Sequence, residues 1–140
     1  MSTMKSDARK PNIIVSEADE RALTRLAAHA LERMPELGQE LLAEVERACI
    51  VPAASVPRGV VQMGSLVEFR QEGGRTRRVQ LVYPGLADIA ANRISILTPI
   101  GTALLGLREG QSIEWRARDG RTCRLTVISV GTGSRDAPAS

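Results

Sequence analysis

The residues that most often do chemistry in proteins are few in this chain and poorly spaced for it. His29 is its only histidine, so a Ser-His-Asp arrangement or a histidine-based zinc site is not expected. Cys49 and Cys123 are far apart and lack a CxxC partner, which is typical of buried free thiols in a reducing compartment. The sequence therefore predicts no catalytic residue, no metal site and no cofactor.

The glycines and arginines allow other kinds of site. Gly73-Gly74 and the pair Gly101 and Gly106 lack the spacing and the Lys-Ser/Thr of a phosphate-binding loop, so we interpret them as turn and cap residues. A basic cluster falls in the predicted sheet hairpins: Arg75, Arg77, Arg78, Arg116, Arg118, Arg121 and Arg124. It is either a solvated sheet edge that discourages strand addition, or a docking patch for an acidic partner or for nucleic acid held within one. The formal net charge of +3 is too small to decide.

Two helices are expected to come first in the chain. Ser16 followed by carboxylates is typical of a helix start, and an apolar stripe at spacings of three and four predicts a helix from about Glu17 to Arg33. Pro35 interrupts it, and a second stripe predicts a helix to about Ala48. Two amphipathic helices joined by a short turn predict an antiparallel helical hairpin.

Beyond a linker that contains two prolines, the apolar period changes to two. Alternation around Val67 and Phe69, and again from Val79 to Tyr83, predicts two strands joined by a glycine turn. Three more strands are predicted further along, around Ile94, around Trp115 and around Leu125. One short helix, capped by Thr98 and ended by Gly106, lies between the third and fourth strands.

These elements predict an α+β protein: a helical hairpin, or short coiled coil, followed by an antiparallel sheet with one short helix. The predicted divisions are a disordered lead at 1–11, the hairpin at 12–50, a linker at 51–59, the sheet domain at 60–131 and a polar tail at 132–140. The chain has no apolar run long enough to span a bilayer and no signal-peptide pattern. A cytoplasmic protein with no membrane partner is expected.

Residues 98–111, TPIGTALLGLREGQ, resemble the signature of the C-terminal domain of the Gre transcription elongation factors. Residues 63–67, MGSLV, are similar to the start of that domain, and the hairpin at 115–130 is similar to its end. The resemblance covers roughly residues 60–130. Details such as LVYP at 81–84 are similar to the regulator of nucleoside diphosphate kinase (Rnk) branch of this superfamily.

The resemblance implies an FKBP-like C-terminal domain that docks on the rim of the secondary channel of RNA polymerase, with the hairpin pointing into the channel. The residues it places at the polymerase surface are Thr98, Pro99, Ile100, Gly101, Leu104 and Leu105. Thr98 and Pro99 would present a rigid corner, and Ile100, Leu104 and Leu105 would divide between the core and an exposed partner face. No sequence-specific nucleic-acid binding is implied.

The hairpin departs from the Gre pattern. In Gre factors two acidic residues at the tip of a long hairpin help to hold a metal ion at the polymerase centre and promote transcript cleavage. Here the tip is formed by Glu32, Arg33, Pro35 and Glu36, and the first helix is only about 26 Å long at 1.5 Å per residue. The resemblance therefore implies a polymerase-binding regulator that competes with Gre factors without stimulating cleavage.

Two other functions stay open at this point. One is a cleavage-stimulating factor, which depends on the length of the hairpin and the charge of its tip. The other is a peptidyl-prolyl isomerase, which needs an aromatic-lined pocket, whereas the chain's only aromatic residues are Phe69, Tyr83 and Trp115. The branch name also implies an effect on nucleoside diphosphate kinase levels, either direct or through transcription.

Overall fold

The computed structural model describes residues 11–117 and 119–131. The predicted polar tail, Arg118 and the predicted disordered lead, apart from Pro11, lie outside the described residues. Among the residues that are described, no helix has the length and apolar character needed to cross a membrane. The same residues contain no group of three or more histidine, cysteine, aspartate or glutamate side chains that could hold a metal ion.

A pair of helices forms the first half of the fold. Helix α1 spans Glu17–Arg33 and helix α2 spans Pro35–Arg47. Ser16 caps α1, because its Oγ accepts a hydrogen bond from the backbone N–H of Asp19 at 3.1 Å. Pro35 begins α2, where the missing N–H of proline costs nothing. The predicted helical hairpin, with its turn at Met34, is confirmed.

The two helices approach each other closely near the turn. A Cβ atom on Gly38 of α2 would lie 2.8 Å from the backbone nitrogen of Leu31 and 3.0 Å from the carbonyl carbon of Ala30. Glycine at this position therefore allows α2 to pack directly on the backbone of α1. Below the contact, Leu23 and Leu41 are completely buried, as the apolar stripes predict.

The base of the hairpin is a small parallel sheet that the sequence analysis did not predict. Strand β1 (Ile14–Ser16) enters α1, strand β2 (Cys49–Val51) leaves α2, and the two strands pair in parallel. The N–H of Ile14 also donates to the carbonyl of Gly106, at 3.2 Å. The expectation of buried thiols is wrong for Cys49, which is exposed because it lies on the outer strand of this pair, and Cys123 is only half-buried.

A five-stranded sheet forms the second half. Its strands are β3 (Leu66–Gln71), β4 (Thr76–Val82), β5 (Arg93–Ser95), β6 (Ser112–Arg116) and β7 (Thr122–Gly131), in the spatial order β5-β4-β3-β7-β6. Three pairs are antiparallel, but β5 runs parallel to β4. The prediction of a wholly antiparallel sheet is wrong there. The connection between Tyr83 and Asn92 carries the chain back along β4, so that β5 begins beside Gln80 and runs in the same direction as β4.

One short helix and one core complete the fold. Helix α3 spans Pro99–Leu104 and lies between β5 and β6 in the chain, as predicted. A single cluster of buried apolar side chains joins Phe69 and Leu81 of the sheet, Leu104 of α3, and Leu23 and Leu41 of the hairpin. The helices and the sheet therefore share apolar surface. The similarity to FKBP proteins and the division at a linker remain predictions.

Candidate functional site

The start of α3 is held in place by hydroxyl groups. The Oγ1 of Thr98 accepts a hydrogen bond from the N–H of Gly101 at 3.0 Å and donates one to the carbonyl of Ser95 at 2.7 Å. One turn later, the hydroxyl of Thr102 donates to the carbonyl of Ile96 at 2.8 Å. Each bond ties the helix to the strand β5 or to the residues that follow it. Three side-chain hydrogen bonds therefore hold the backbone from Ser95 to Thr102 in place.

Only three of the six predicted contact residues reach the surface. Thr98, Pro99 and Ile100 are half-buried, and we call these three residues the docking corner. Leu104 and Leu105 are 0% and 1% exposed, so both belong to the core and neither can touch a partner. Of the three side chains that were expected to divide between the core and a partner face, Ile100 is therefore the one that reaches the surface.

Gly101 fixes the distance between α3 and β5. A Cβ atom at this position would overlap with the carbonyl oxygen of Ser95 and would lie 3.1 Å from the Cα of Ile96. These are backbone atoms, so they cannot turn aside as a flexible side chain could. The role of Gly101 is therefore to let the helix pack closely on the strand, and it supports the docking corner from below.

The tip of the hairpin is exposed and polar, unlike the start of α3. The four residues predicted for the tip, Glu32, Arg33, Pro35 and Glu36, are all exposed. Met34, between the two helices, is 41% exposed. Met34 makes two backbone hydrogen bonds at the turn: its N–H donates to the carbonyl of Ala30 at 2.6 Å, and its carbonyl accepts from the N–H of Gly38 at 2.9 Å. The tip offers two carboxylates and one guanidinium group to solvent on a short, regular scaffold.

The base of the hairpin is joined to the sheet by a contact that the sequence analysis missed. Asp19, in the first turn of α1, accepts a hydrogen bond from the backbone N–H of Met63 at 3.3 Å. Burial, together with the negative charge of Asp19, raises the pKa of the Tyr83 phenol from 10.0 to about 12. The pattern Ser-x-x-Asp at residues 16–19 signals a helix start but not a contact with a residue so distant in the chain.

A second connection fixes the end of α2. The buried carboxylate of Glu44 lies 2.9 Å from Nη2 of Arg47, and Nη1 of Arg47 donates to the carbonyl of Pro11 at 2.6 Å. A buried carboxylate is stable only with such a partner. Arg47 thus connects the last turn of α2 to the segment that leads into β1, so both ends of the hairpin are anchored.

The arginine cluster is spread over the sheet rather than gathered at one point. Arg75, Arg77 and Arg78 lie in or beside β4, and all are exposed. The guanidinium group of Arg77 lies 5.7 Å from the centre of the Phe69 ring, within range of a cation–π interaction. Arg121 pairs with Asp119 at 3.0 Å across the turn between β6 and β7. The remaining arginines, Arg116 and Arg124, are exposed on β6 and β7.

The three aromatic residues do not gather into a separate site. Phe69 is completely buried, and Tyr83 and Trp115 are partly buried against the same core cluster. A peptidyl-prolyl isomerase would need such rings to line an accessible pocket, so nothing in their placement favours that activity.

Comparison with known proteins agrees with the resemblance of the sheet domain. The family model for the C-terminal domain of the transcription elongation factors GreA and GreB matches residues 56–132, more than half of the chain. The regulator of nucleoside diphosphate kinase of Escherichia coli (strain K12) is 36% identical over 123 residues, which cover 86% of this chain and 90% of that protein.

Two further matches also extend beyond the family model. The transcription elongation factor GreA of Azorhizobium caulinodans is 30% identical over 119 residues, covering 79% of this chain and 76% of that factor. A solved structure, the prokaryotic transcription elongation factor GreA/GreB from Nitrosomonas europaea, superposes with a TM-score of 0.69 at 36% identity and covers 86% of this chain and 99% of that one. The chain therefore belongs to the GreA/GreB family of transcription elongation factors, in the branch of the regulators of nucleoside diphosphate kinase.

Proposed function

We propose that this chain is a regulator that binds RNA polymerase at the rim of its secondary channel and competes there with Gre factors. In this proposal it does not stimulate transcript cleavage, and it acts in the cytoplasm. The observation that carries the proposal is the docking corner, which exposes a rigid Thr98-Pro99-Ile100 surface within the part of the chain that matches the family model. A preorganised surface loses little conformational entropy on binding.

We propose that the protein does not stimulate cleavage because its hairpin is short and the tip carries a positive charge among its carboxylates. Helix α1 has 17 residues and α2 has 13, so the hairpin reaches only about 26 Å from its base at 1.5 Å per residue. A carboxylate must come within about 2.0–2.6 Å of a hard cation to coordinate it. Glu32 and Glu36 at the tip also flank the positive charge of Arg33, which offsets part of their negative field.

The experiment uses a stalled elongation complex. The protein alone should leave the transcript uncut, and in excess it should slow the cleavage that a Gre factor causes. Cleavage by the protein alone that disappears in Glu32→Ala plus Glu36→Ala would show the second candidate, a cleavage-stimulating factor. The exposure of both glutamates is the observation that keeps this candidate in the test.

Binding should depend on the docking corner. Ile100→Asp should weaken the affinity for polymerase by at least tenfold, because it places a charge in the apolar part of the surface. The matched control is Ile128→Asp on β7, where the isoleucine is also partly exposed, at 38%, and the affinity should be unchanged. A correctly folded Ile100→Asp protein with normal affinity would remove this surface from the proposal.

The name of the Escherichia coli relative connects it with nucleoside diphosphate kinase. We propose that any such effect of this chain runs through transcription rather than through contact with the kinase. Adding the purified protein to purified kinase should then leave the kinase rate unchanged, while its overproduction in cells should change the amount of kinase made. A change of rate in the purified mixture would establish a direct effect.

A further inference from the structure

Four arginines lie on one diagonal of the open face of the five-stranded sheet, which is the face opposite the core. They are Arg78 on β4, Arg70 on β3, Arg124 on β7 and Arg116 on β6, and we call them the arginine diagonal. They come from four neighbouring strands, one arginine from each. In sequence they are scattered from residue 70 to residue 124, so no local motif reveals them.

The strand register establishes the diagonal. Arg78 pairs with Glu68, which is two residues before Arg70 on the same strand. Arg70 in turn pairs with Thr126, two residues beyond Arg124 on β7. Side chains two residues apart on a strand point to the same face. Each step from one arginine to the next therefore moves one strand across the sheet and two residues along it.

The last step repeats the same shift. Arg124 pairs with Glu114 on β6, and Arg116 is two residues further along that strand, opposite Thr122. With strands about 4.8 Å apart and about 3.4 Å of rise per residue, each step joins Cα atoms roughly 8 Å apart. The three steps together span about 25 Å. The result is a straight, evenly spaced row of positive charge.

These charges are largely available to a ligand. Arg78 lies 3.8 Å from Glu68 and keeps 76% of its side chain exposed. Arg70, Arg116 and Arg124 are also exposed, and no carboxylate of residues 11–117 and 119–131 forms an ion pair with them. Three glutamates share the face with the four arginines. Glu68 and Glu114 lie on β3 and β6, and Glu72, one residue beyond β3, donates its backbone N–H to the carbonyl of Arg124 at 2.8 Å. The formal balance is therefore four positive charges against three negative ones.

Protection of a sheet edge does not explain the row. Edge strands carry charged side chains to prevent pairing with other chains, and the edges of this sheet are β5 and β6. Arg70 and Arg124 lie on β3 and β7, which have a neighbouring strand on both sides. Their charges therefore face outward from the middle of the sheet, where there is no edge to protect.

The chemistry of the face favours a nucleic acid over a protein. Protein interfaces have an apolar centre from which charged residues are depleted, whereas here arginines occupy the centre. Interfaces with nucleic acids are polar and strongly positive. The chain's only lysines are Lys5 and Lys10, so every basic group of this face is a guanidinium, whose planar fork can bind phosphate oxygens in pairs.

Hydroxyl groups lie between the arginines. Thr76 and Thr126 flank Arg70 on either side, and Ser112 lies beside Thr126 with their side-chain oxygens 2.7 Å apart. Such groups can hydrogen-bond the 2′-hydroxyl that distinguishes RNA from DNA. The core, not this face, holds the aromatic rings on which bases could stack. A ligand of this face would be held by its backbone, without regard to sequence.

We propose that the arginine diagonal binds the sugar-phosphate backbone of single-stranded RNA. A single strand is flexible enough to follow a diagonal across a twisted sheet. The docking corner belongs to the helix on the core side of the sheet, so the two surfaces do not overlap. The proposal therefore does not depend on the polymerase contact, and each can fail without the other.

The test measures the affinity of the full-length protein for a labelled 12-nucleotide RNA of mixed sequence. Single strands give a salt slope of about −0.7 per phosphate contact, so four contacts, one for each arginine, predict a loss of affinity of about 50-fold between 50 and 200 mM salt. With two contacts left, Arg70→Gln plus Arg124→Gln should lose only about sevenfold over this range and should bind at least roughly tenfold more weakly at 50 mM.

Two further variants control for net charge and for folding. Arg21→Gln plus Arg25→Gln removes the same charge from exposed positions of α1 and should bind RNA like the unaltered protein. Arg70→Lys plus Arg124→Lys keeps the charge but not the guanidinium fork, so it should keep the salt slope and lose part of the affinity. Thermal melting should show that all variants are folded.

Several results would overturn the proposal. One is no binding of RNA at 50 mM salt. Another is an equal loss of affinity for RNA in the α1 variant and in Arg70→Gln plus Arg124→Gln. A third is an equal affinity for DNA of the same sequence. Stronger competition by polyglutamate than by unlabelled RNA would assign the face to an acidic protein instead. The proposal is supported if the salt slope falls in Arg70→Gln plus Arg124→Gln and in none of the other variants.

Discussion

The helix α3 and the α1–α2 hairpin are held in opposite ways. Residues from Gly101 to Leu107 are buried without interruption, and hydroxyl groups bond α3 to the backbone that precedes it. The hairpin buries one face, is anchored at its base and ends in an exposed tip. The difference indicates that α3 supplies a surface of fixed shape, while the hairpin supplies reach and charge. Changes in packing should therefore cost more in α3 than in the hairpin.

The largest effect is expected from Gly101→Ala. The added methyl group meets backbone atoms of Ser95 and Ile96, so the free energy of unfolding should fall by about 3 kcal/mol. The control is Gly85→Ala, where a Cβ atom would have no heavy atom within 4 Å and the change should stay within about 0.5 kcal/mol. Chemical denaturation measures both. Equal losses in the two variants would mean that α3 is not held as closely as described.

Removing the hairpin should have the next largest effect. A fragment of residues 52–140 should still melt cooperatively, because most members of the shared core cluster, Phe69 and Leu104 among them, belong to this part of the chain. It also loses the apolar cover that Leu23 and Leu41 share with that core, so its stability should be about 2 kcal/mol lower, or roughly 10 °C in melting temperature. An unfolded fragment would show that the chain is one indivisible unit.

Gly38→Ala should cost less, although its Cβ atom would also meet backbone, 2.8 Å from the nitrogen of Leu31. The outer face of α2 is in solvent, so the helix can move outward by a few tenths of an ångström. Alanine is also the better helix former by about 1 kcal/mol, so the net loss should be about 1 kcal/mol. Denaturation of this variant beside Gly101→Ala compares the two regions directly, and a greater loss at Gly38 would reverse the comparison.

The smallest expected effect concerns the joint between the hairpin and the sheet. Tyr83 is the only tyrosine of the chain, so the ultraviolet absorbance of its phenolate reports its pKa directly, which should be about 12 in the intact protein. The folded-state pKa lies above the unfolded value of 10.0, so the protonated phenol stabilises the folded protein. This contribution to the free energy of unfolding is complete below pH 10 and is lost as the pH rises towards 12.

Two variants sharpen this titration. Asp19→Asn removes the neighbouring negative charge, so the pKa of Tyr83 should fall part of the way towards its ordinary value. Glu20→Gln, one residue further along α1, should leave it unchanged. A pKa near 10 in the unaltered protein would contradict the burial of the phenol at this joint.

The helices are predictable from sequence because their signals are local. Ser16 and Pro35 mark the two helix starts within a few residues of where the structure places them. Strand pairing depends on distant residues, so nothing near Ile14 indicates that it pairs with Cys49. The period of two identifies a strand around Ile94 but cannot give its direction, which depends on the path of the connection before it.

The candidate site was predictable in part for the same reason. Thr98 and Pro99 show the cap and the first turn of α3 directly in the sequence. The complete burial of Leu104 and Leu105 was not predictable, because a helix of six residues is too short for an apolar stripe to show a period. The arginine diagonal is beyond sequence reasoning altogether, since only the register of four strands aligns its members.

The parallel pairing of β1 with β2 closes the base of the hairpin, which we call its neck. The chain enters α1 from β1 and leaves α2 into β2, and the N–H of Ile14 bonds this neck to the carbonyl of Gly106. Equal numbers of helical turns can be added on both sides of Met34, or taken away, while the neck and the sheet stay as they are. The reach of the hairpin can thus evolve, or be engineered, separately from α3 and the sheet.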